Sequence, residues 1–189
     1  MDKKFKQNPN TPEKLEQLYS SRKLSPETER VNEWMMPYLL PLVPATGDVL
    51  EVGCGLGKTL SIISESSSVR LKGIDISPTA IEKAEKYYQA IYFECMNFEN
   101  SIEKLKYDLV ICSQTLEHVD NPELMINKLK ESVKINGTLF ITVPWPKSSL
   151  DNGVKNHYWR FYPEDFYELI SNDCLIEKEG TRMVVIWVK

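Results

Sequence analysis

The segment Glu51 to Gly57, EVGCGLG, follows the apolar run Val49, Leu50 and Val52, and the next apolar stretch ends in the acid Asp75. The run reads as a short buried strand. Glycines at 53, 55 and 57 let the backbone turn tightly and lie close to a ligand, where side chains would intrude. The segment from Arg70 to Asp75 reads as a second strand ending in a carboxylate, which suits bidentate hydrogen bonding to the two hydroxyls of a ribose. The order strand, glycine turn, helix, strand, acid therefore points to a bound nucleoside.

Three nucleotide chemistries compete for this pattern. A phosphate-cradling loop would need four residues between its first glycine and the pair Gly57-Lys58, and Val52 stands where that glycine belongs. A dinucleotide fingerprint counted from Gly53 requires glycine at Lys58, and counted from Gly55 requires it at Leu60. Both readings are disfavoured. Glu51 would place negative charge near the turn, repelling a pyrophosphate and welcoming a cation, and a sulfonium carrying an ammonium group fits that field.

These residues resemble the class I S-adenosylmethionine-dependent methyltransferases, in particular a branch with an L-E-H-V turn after the fourth strand. EVGCGLG is similar to the family's first motif, GIDISPTAIEKAE from Gly73 to its second, and DLVICSQTLEHVDNP from Asp108 to its fourth-strand motif. NGTLFITVP from Asn136 is similar to the fifth strand, and NHYWRFYPEDFYELI from Asn156 to the segment entering the next helix. The resemblance runs from about Gly47 to the C-terminus and implies an α/β fold: a Rossmann-like, doubly wound, seven-stranded sheet, mostly parallel with an antiparallel last strand. It also implies S-adenosyl-L-methionine as cofactor. Glu51, Gly53 and Gly55 would meet the methionine end and Asp75 the ribose. Ile76 and Phe98 would flank the purine, and Asn97 would stand in for the acid that usually receives its amine. Ser113 joins this set at the tip of the fourth strand.

Composition adds limits rather than specificity. At 189 residues and 42% hydrophobic content, the chain suits a single domain with one core. Residues 1–46 are expected as a helical cover and 47–189 as the cofactor-binding core. Four cysteines at 54, 95, 112 and 174 lack metal-ligand spacing, which favours a reduced, cytoplasmic protein. No apolar stretch approaches a membrane span, and MDKKFKQNPNTPEK lacks the apolar segment of a signal peptide. A net charge of −4 argues against nucleic acid as partner.

Along the chain, residues 13–40 have helical composition, interrupted near Ser25-Pro26 and stopped by Pro37 and Pro41. Ser77-Pro78 and Asn121-Pro122 read as helix starts. Ala80, Ile81, Ala84, Tyr87 and Tyr88 form one apolar stripe at helical spacing, and Met125, Leu129 and Val133 form the next, ending at Asn136-Gly137. Stretches at 91–94, 109–113 and 138–143 read as strands, and the tail as an antiparallel hairpin turning at Gly180.

Both histidines fall in loops at the carboxyl edge of the expected sheet, where ligands of open α/β sheets gather. His157 is the first candidate for a base or substrate anchor, and His118 for a second such role or a cofactor-side one. Some relatives carry an acid-x-x-Glu-His turn, and in the small-RNA 2′-O-methyltransferases among them these carboxylates and a later histidine hold a divalent metal. Here Gln114 replaces the first acid of the set with Glu117, His118 and His157, and neutral glutamine is a poor ligand for a hard cation, so no metal is expected. Trp145, Tyr158, Trp159, Phe161 and Tyr162 could stack on an acceptor, with Arg160 pairing an anion, or could clamp the loop to the sheet. HYWRFYPEDF resembles methyltransferases of surface-polysaccharide or glycolipid synthesis, which implies methyl transfer to a hydroxyl or amine of a small-molecule acceptor, a saccharide or a carrier-linked molecule being candidates. The rival readings are a catalytically inactive S-adenosylmethionine-binding interaction subunit and, further off, an NAD oxidoreductase.

Overall fold

The computed structural model describes residues 1–4, 7–21, 33–153 and 156–189, with the side chains of Leu15, Leu18 and Ser21 outside that description. Helix α1 spans Pro12–Ser21. Then strand β1 (Asp48–Val52), helix α2 (Lys58–Ser66), strand β2 (Arg70–Asp75), helix α3 (Pro78–Tyr87) and strand β3 (Tyr92–Cys95) alternate. Strand β4 (Tyr107–Ser113), helix α4 (Pro122–Ser132), strand β5 (Val133–Pro144), helix α5 (Pro163–Leu169), strand β6 (Leu175–Glu179) and strand β7 (Arg182–Val188) complete the main unit. The sheet order is β3-β2-β1-β4-β5-β7-β6, with β7 antiparallel to both neighbours. This is the expected seven-stranded, mostly parallel sheet.

The alternation of side chains along each strand builds two apolar layers. From β1, Leu50 and Val52 join one layer, with Met125, Ile126 and Leu129 of α4 and with Phe161 and Phe166. Val49 joins the other, with Leu60 and Ile63 of α2, Ile81 and Ala84 of α3, and Met35 and Leu39. Strands buried on both faces need helices on both sides, and parallel neighbours need crossover helices, so the sheet is doubly wound. Its winding reverses between β1 and β4, which opens a crevice at their carboxyl ends. No helix among the described residues is long and apolar enough to cross a membrane.

Local signals account for most boundaries. Ser77 Oγ accepts from Ala80 N and Asn121 Oδ1 from Leu124 N, each with proline in the first turn, so both helices begin where the sequence places them. Gly180, at φ +58°, opens a two-residue turn between Glu179 and Arg182, a length that only antiparallel neighbours can use.

Three expectations are corrected. Val133 is not the end of the α4 stripe but the first residue of β5, facing Tyr107, and the ladder resumes at Thr138 facing Leu109. Asn136, at φ +63°, and Gly137 form the bulge between these pairs rather than a helix stop. Pro37 and Pro41 do not stop a long helix; each sits in the first turn of its own short helical segment, where a missing N–H costs nothing. The Ser25-Pro26 interruption lies outside the described residues.

Gly73, in the middle of β2, keeps the sheet thin beneath the glycine turn. A Cβ there would lie 2.6 Å from Phe93 Cδ1 and 2.9 Å from Cys54 Sγ. Gly73→Ala is therefore expected to cost about 1–3 kcal/mol by overpacking, measured as a lower midpoint in urea with unchanged slope.

Candidate functional site

The turn after β1 is pinned from beneath. Gly53 N and Cys54 N both donate to Ile74 O, at 2.8 and 3.0 Å. Gly53, Gly55 and Gly57 all have positive φ, between +52° and +78°, which L side chains rarely adopt. At Gly53 an added Cβ would fall 2.1 Å from Thr115 Oγ1. Asp75, only 8% exposed, ties this turn to the next: its Oδ2 accepts from Gly55 N and its Oδ1 from Ser77 N, both at 2.9 Å. Burial raises the Asp75 carboxyl above its ordinary range, and the backbone N–H groups of Ser77, Gly55 and Ile76 oppose that rise. Each carboxylate oxygen can accept more than one hydrogen bond, so two ribose hydroxyls could still be received.

A cavity of about 230 Å³ opens above this turn. At one end it is lined by Gly53, Asp75, Ile76, Met96, Asn97 and Phe98, and at the other by Gln114, Thr115, His118, Val119 and Asn156. Among the expected contacts, the fold thus brings Gly53, Asp75, Ile76, Asn97, Phe98 and His118 onto one surface. Four others sit apart from the lining. Glu51 is 3% exposed within β1, in register with Gly73 and Ile111. Gly55 commits its N–H to Asp75. The Ser113 hydroxyl meets Thr142 Oγ1 at 2.8 Å and Met35 Sδ at 3.3 Å. His157 lies beside His118, ring centroids 5.2 Å apart and edge-on. Asn97 Oδ1 also accepts from Asn100 N at 3.3 Å, so its role as an adenine acceptor would compete with that local bond.

Sequence reasoning expected an N-terminal cover but named none of the residues that line the cavity from it. Asn8, Asn10, Pro12 and Tyr19 close the cavity from the N-terminal side. Asp2 and Lys3 pair with Arg160 and Trp159 as a two-stranded ribbon. Asn8 Nδ2 donates to His118 O at 2.9 Å, and Asn10 Nδ2 to Asn156 O at 2.7 Å. On α1, Glu16 accepts from Ser77 Oγ at 2.5 Å and also from Thr79 Oγ1. The Ser77 and Thr79 hydroxyls hold the Glu16 carboxyl down at about 2. The turn-forming string Asn8-Pro9-Asn10-Thr11-Pro12 was the available signal that the chain changes direction here.

At the His118 end of the cavity two loops are stitched together. Tyr158 N donates to Glu117 O at 2.7 Å, and Trp159 Nε1 to Val119 O at 2.9 Å. His118 Nδ1 meets Asn156 O at 2.9 Å. A carbonyl accepts only, so Nδ1 carries the proton and Nε2 keeps its lone pair. Burial pushes the Glu117 carboxyl up to about 8 and, with His118 second, pushes His157 down to about 4. Glu117, His118 and His157 each place one donor atom within 4.8 Å of the others, a grouping that could hold a metal ion.

The aromatic segment behaves as a clamp. Tyr158 and Phe161 are buried, Phe161 stacks on Phe166 at 5.4 Å, and Tyr162 OH donates to Asp2 Oδ2 at 2.8 Å. Arg160 Nε donates to Asp151 Oδ2 at 2.6 Å and Nη2 to Asn152 Oδ1 at 2.9 Å. Trp145, Tyr158, Trp159, Arg160, Phe161 and Tyr162 are all absent from the cavity lining.

Comparison with known proteins places this geometry. A family model described as a methyltransferase domain matches residues 22–175. The malonyl-[acyl-carrier protein] O-methyltransferase of Acetivibrio thermocellus is 35% identical over 95 residues, 49% of this chain and 34% of that protein. The ubiquinone biosynthesis O-methyltransferase of Rickettsia canadensis is 28% identical over 151 residues, 70% of this chain and 64% of that protein. The chain thus spans between about a third and two thirds of the length of these curated relatives. Among solved structures, the plantazolicin methyltransferase BpumL in complex with a monoazolic desmethyl analog and SAH superposes with a TM-score of 0.69 at 18% identity, covering 94% of this chain and 89% of that one. The N-methyltransferase NodS of Bradyrhizobium japonicum gives 0.66 at 15% identity, covering 84% and 97%, and both likenesses speak for the fold alone. With its family model spanning most of its length, the chain belongs to the methyltransferase domain family, as a class I S-adenosylmethionine-dependent methyltransferase with S-adenosylmethionine as cofactor.

Proposed function

We propose that the protein transfers a methyl group from S-adenosylmethionine to a hydroxyl oxygen of a small or carrier-linked acceptor. The observation that carries this reading is the cavity that runs from Asp75 to His118 at the switch point of the sheet. In it, Asp75 would hold the ribose, with Ile76, Asn97 and Phe98 around the purine and the turn at Gly53 beside the methionine end. The methyl group would then face Gln114, Thr115 and His118. Residues 47–189 serve as the core and 1–46 as its cover, in one domain.

The acceptor's oxygen lone pair forms the new O–C bond as the C–S pair returns to sulfur, leaving neutral S-adenosylhomocysteine. Such in-line displacement gains mainly from positioning, but a hydroxyl must also lose its proton. Of the group Glu117, His118 and His157, His118 lines the cavity, and its Nε2 lone pair would take that proton; Glu117 and His157 lie outside the lining with buried atoms that have no hydrogen-bond partner. Oxygen is favoured over nitrogen because the curated relatives above are both named O-methyltransferases. A saccharide is retained as one candidate among hydroxylated acceptors.

The test is transfer of label from methyl-labelled S-adenosylmethionine to a panel of saccharides, phenols, carboxylates bound to a carrier, and amines. Labelled ether from a hydroxylated acceptor is expected. Cofactor binding with no transfer to any class would favour the inactive interaction subunit, and label confined to amines or carboxylates would contradict the choice of hydroxyl.

A further inference from the structure

We infer that Lys128 is a positioning residue for cofactor selection: from helix α4, outside the cavity, it fixes the loop that reads the purine ring. Lys128 is absent from the cavity lining, whereas Asn97, Phe98 and Glu99 belong to it. Its ammonium donates to three carbonyls of this loop, Phe98 O at 3.3 Å, Glu99 O at 2.5 Å and Ser101 O at 2.6 Å. An ammonium has three N–H donors and no acceptor, so all three are used on one stretch of backbone. A charged donor makes such bonds stronger than a neutral one, and a lysine serving only solubility would keep its head in water. The inference rests on the seat of the purine proposed above, at Ile76, Asn97 and Phe98.

These bonds reach Asn97 through peptide geometry. In a trans peptide the C=O and the following N–H point to opposite sides. With Glu99 O drawn onto Lys128, Asn100 N faces the other way, and it donates to Asn97 O at 3.2 Å and to Asn97 Oδ1 at 3.3 Å. That N–H decides which end of the Asn97 amide is oxygen, because a flipped amide would set two donors against each other. Oδ1 keeps a second lone pair for the exocyclic amine of adenine. Phe98, 5% exposed, is held to the same helix by a different force, sharing an apolar layer with Met125, Ile126 and Leu129. Stacking on Phe98 and Ile76 accepts any flat purine; only an oriented amide distinguishes an amine from a carbonyl on its edge.

Glu99 carries the same loop toward the other end of the cavity. It gives Lys128 its carbonyl and not its carboxylate, which accepts from Asp120 N at 3.1 Å and from Asn121 N at 2.5 Å. Asp120 lines the cavity beside His118, and Asn121 caps α4, the helix that bears Lys128. Loop, turn and helix thus close a ring of hydrogen bonds, in which Lys128 and Glu99 are the two side chains that hold the loop. Removing the ammonium releases three carbonyls of that loop at once, and with them the constraint on the Asn97 amide.

Titration calorimetry with S-adenosylhomocysteine and with S-inosylhomocysteine, which carries a carbonyl where adenine has its amine, tests this on wild type, Lys128→Met and Lys128→Arg. Wild type is expected to prefer the adenine ligand by about 10-fold, the worth of one well-made hydrogen bond. In Lys128→Met the preference should fall to about 2-fold or less through weaker binding of the adenine ligand, and Lys128→Arg, which keeps charge and donors, should restore most of it. A role in folding alone would weaken both ligands equally and leave the preference intact; that result, or unchanged binding of both, would overturn the inference while the purine seat stands. Wild type without preference between the two ligands would mean that this loop does not read the purine, and seat and inference would fall together. If Lys128→Met does not fold, Lys128→Gln, uncharged and with two donors, takes its place against the same outcomes.

Discussion

Asp75→Ala is expected to weaken S-adenosylmethionine binding by at least about 100-fold, the worth of two charge-assisted hydrogen bonds at roughly 1.5–3 kcal/mol each. The side chain is placed for two tasks, and alanine removes both. It would leave the ribose hydroxyls without their acceptor, and it would strand the Gly55 N–H, which now donates to Oδ2 at 2.9 Å from a buried turn. Asp75→Asn separates the tasks, because an amide oxygen still accepts one bond while the charge is gone. Titration calorimetry should therefore rank wild type above Asn and Asn above Ala. Equal affinity in all three would remove Asp75 from the cofactor's surroundings.

Gly53→Ala is expected to abolish binding by another route, and to destabilise the fold as well. The residue sits at φ +77°, where a Cβ costs roughly 1–2 kcal/mol from backbone sterics alone. The new methyl would meet Thr115 Oγ1 at 2.1 Å and Cγ2 at 2.7 Å. Thr115 could turn away only by giving up its bond to Ser113 O at 3.0 Å, worth about 1 kcal/mol. A total of about 2–3 kcal/mol should appear in urea denaturation, together with loss of saturable binding as the turn swells into the cavity. A partial test of mechanism follows from Thr115→Ala in the same background: removing the obstructing hydroxyl and methyl should recover part of the stability, leaving the backbone cost.

What the sequence discloses and what it withholds divide along physical lines. The strand with Val49, Leu50 and Val52, the glycine turn and the acid at the end of β2 were legible because each rests on local rules: apolar content, positive φ, and a carboxylate at a strand tip. The helix starts at Ser77 and Asn121 were legible for the same reason, since an N-cap reaches only three residues ahead. Val133 was misplaced because an apolar residue four positions after Leu129 fits the helical stripe equally well, and only its pairing with Tyr107 decides the matter. The roof residues Asn8 and Asn10 depend on contacts with residues more than a hundred positions away, His118 and Asn156, which no local pattern encodes.

The aromatic segment shows how composition misleads about sites. Trp159, Arg160 and Tyr162 are the residue types that bind sugars and anions, yet their polar atoms are spent on Val119 O, Asp151 and Asp2. The same segment has another function that composition hides: by fastening itself to the turn at Glu117 it carries His157 up to His118. The resulting group is assembled from two loops almost forty residues apart in sequence, and the orphaned atoms that draw attention to it exist only in the folded chain.

The measurement that bears most directly on the account is a crystal structure of the protein grown with S-adenosylhomocysteine. The account predicts the ribose hydroxyls on the Asp75 carboxylate, the purine between Ile76 and Phe98, and the sulfur pointing toward Thr115 and His118. Density for the ligand at any other surface, or an ordered ligand whose ribose makes no contact with Asp75, would contradict it.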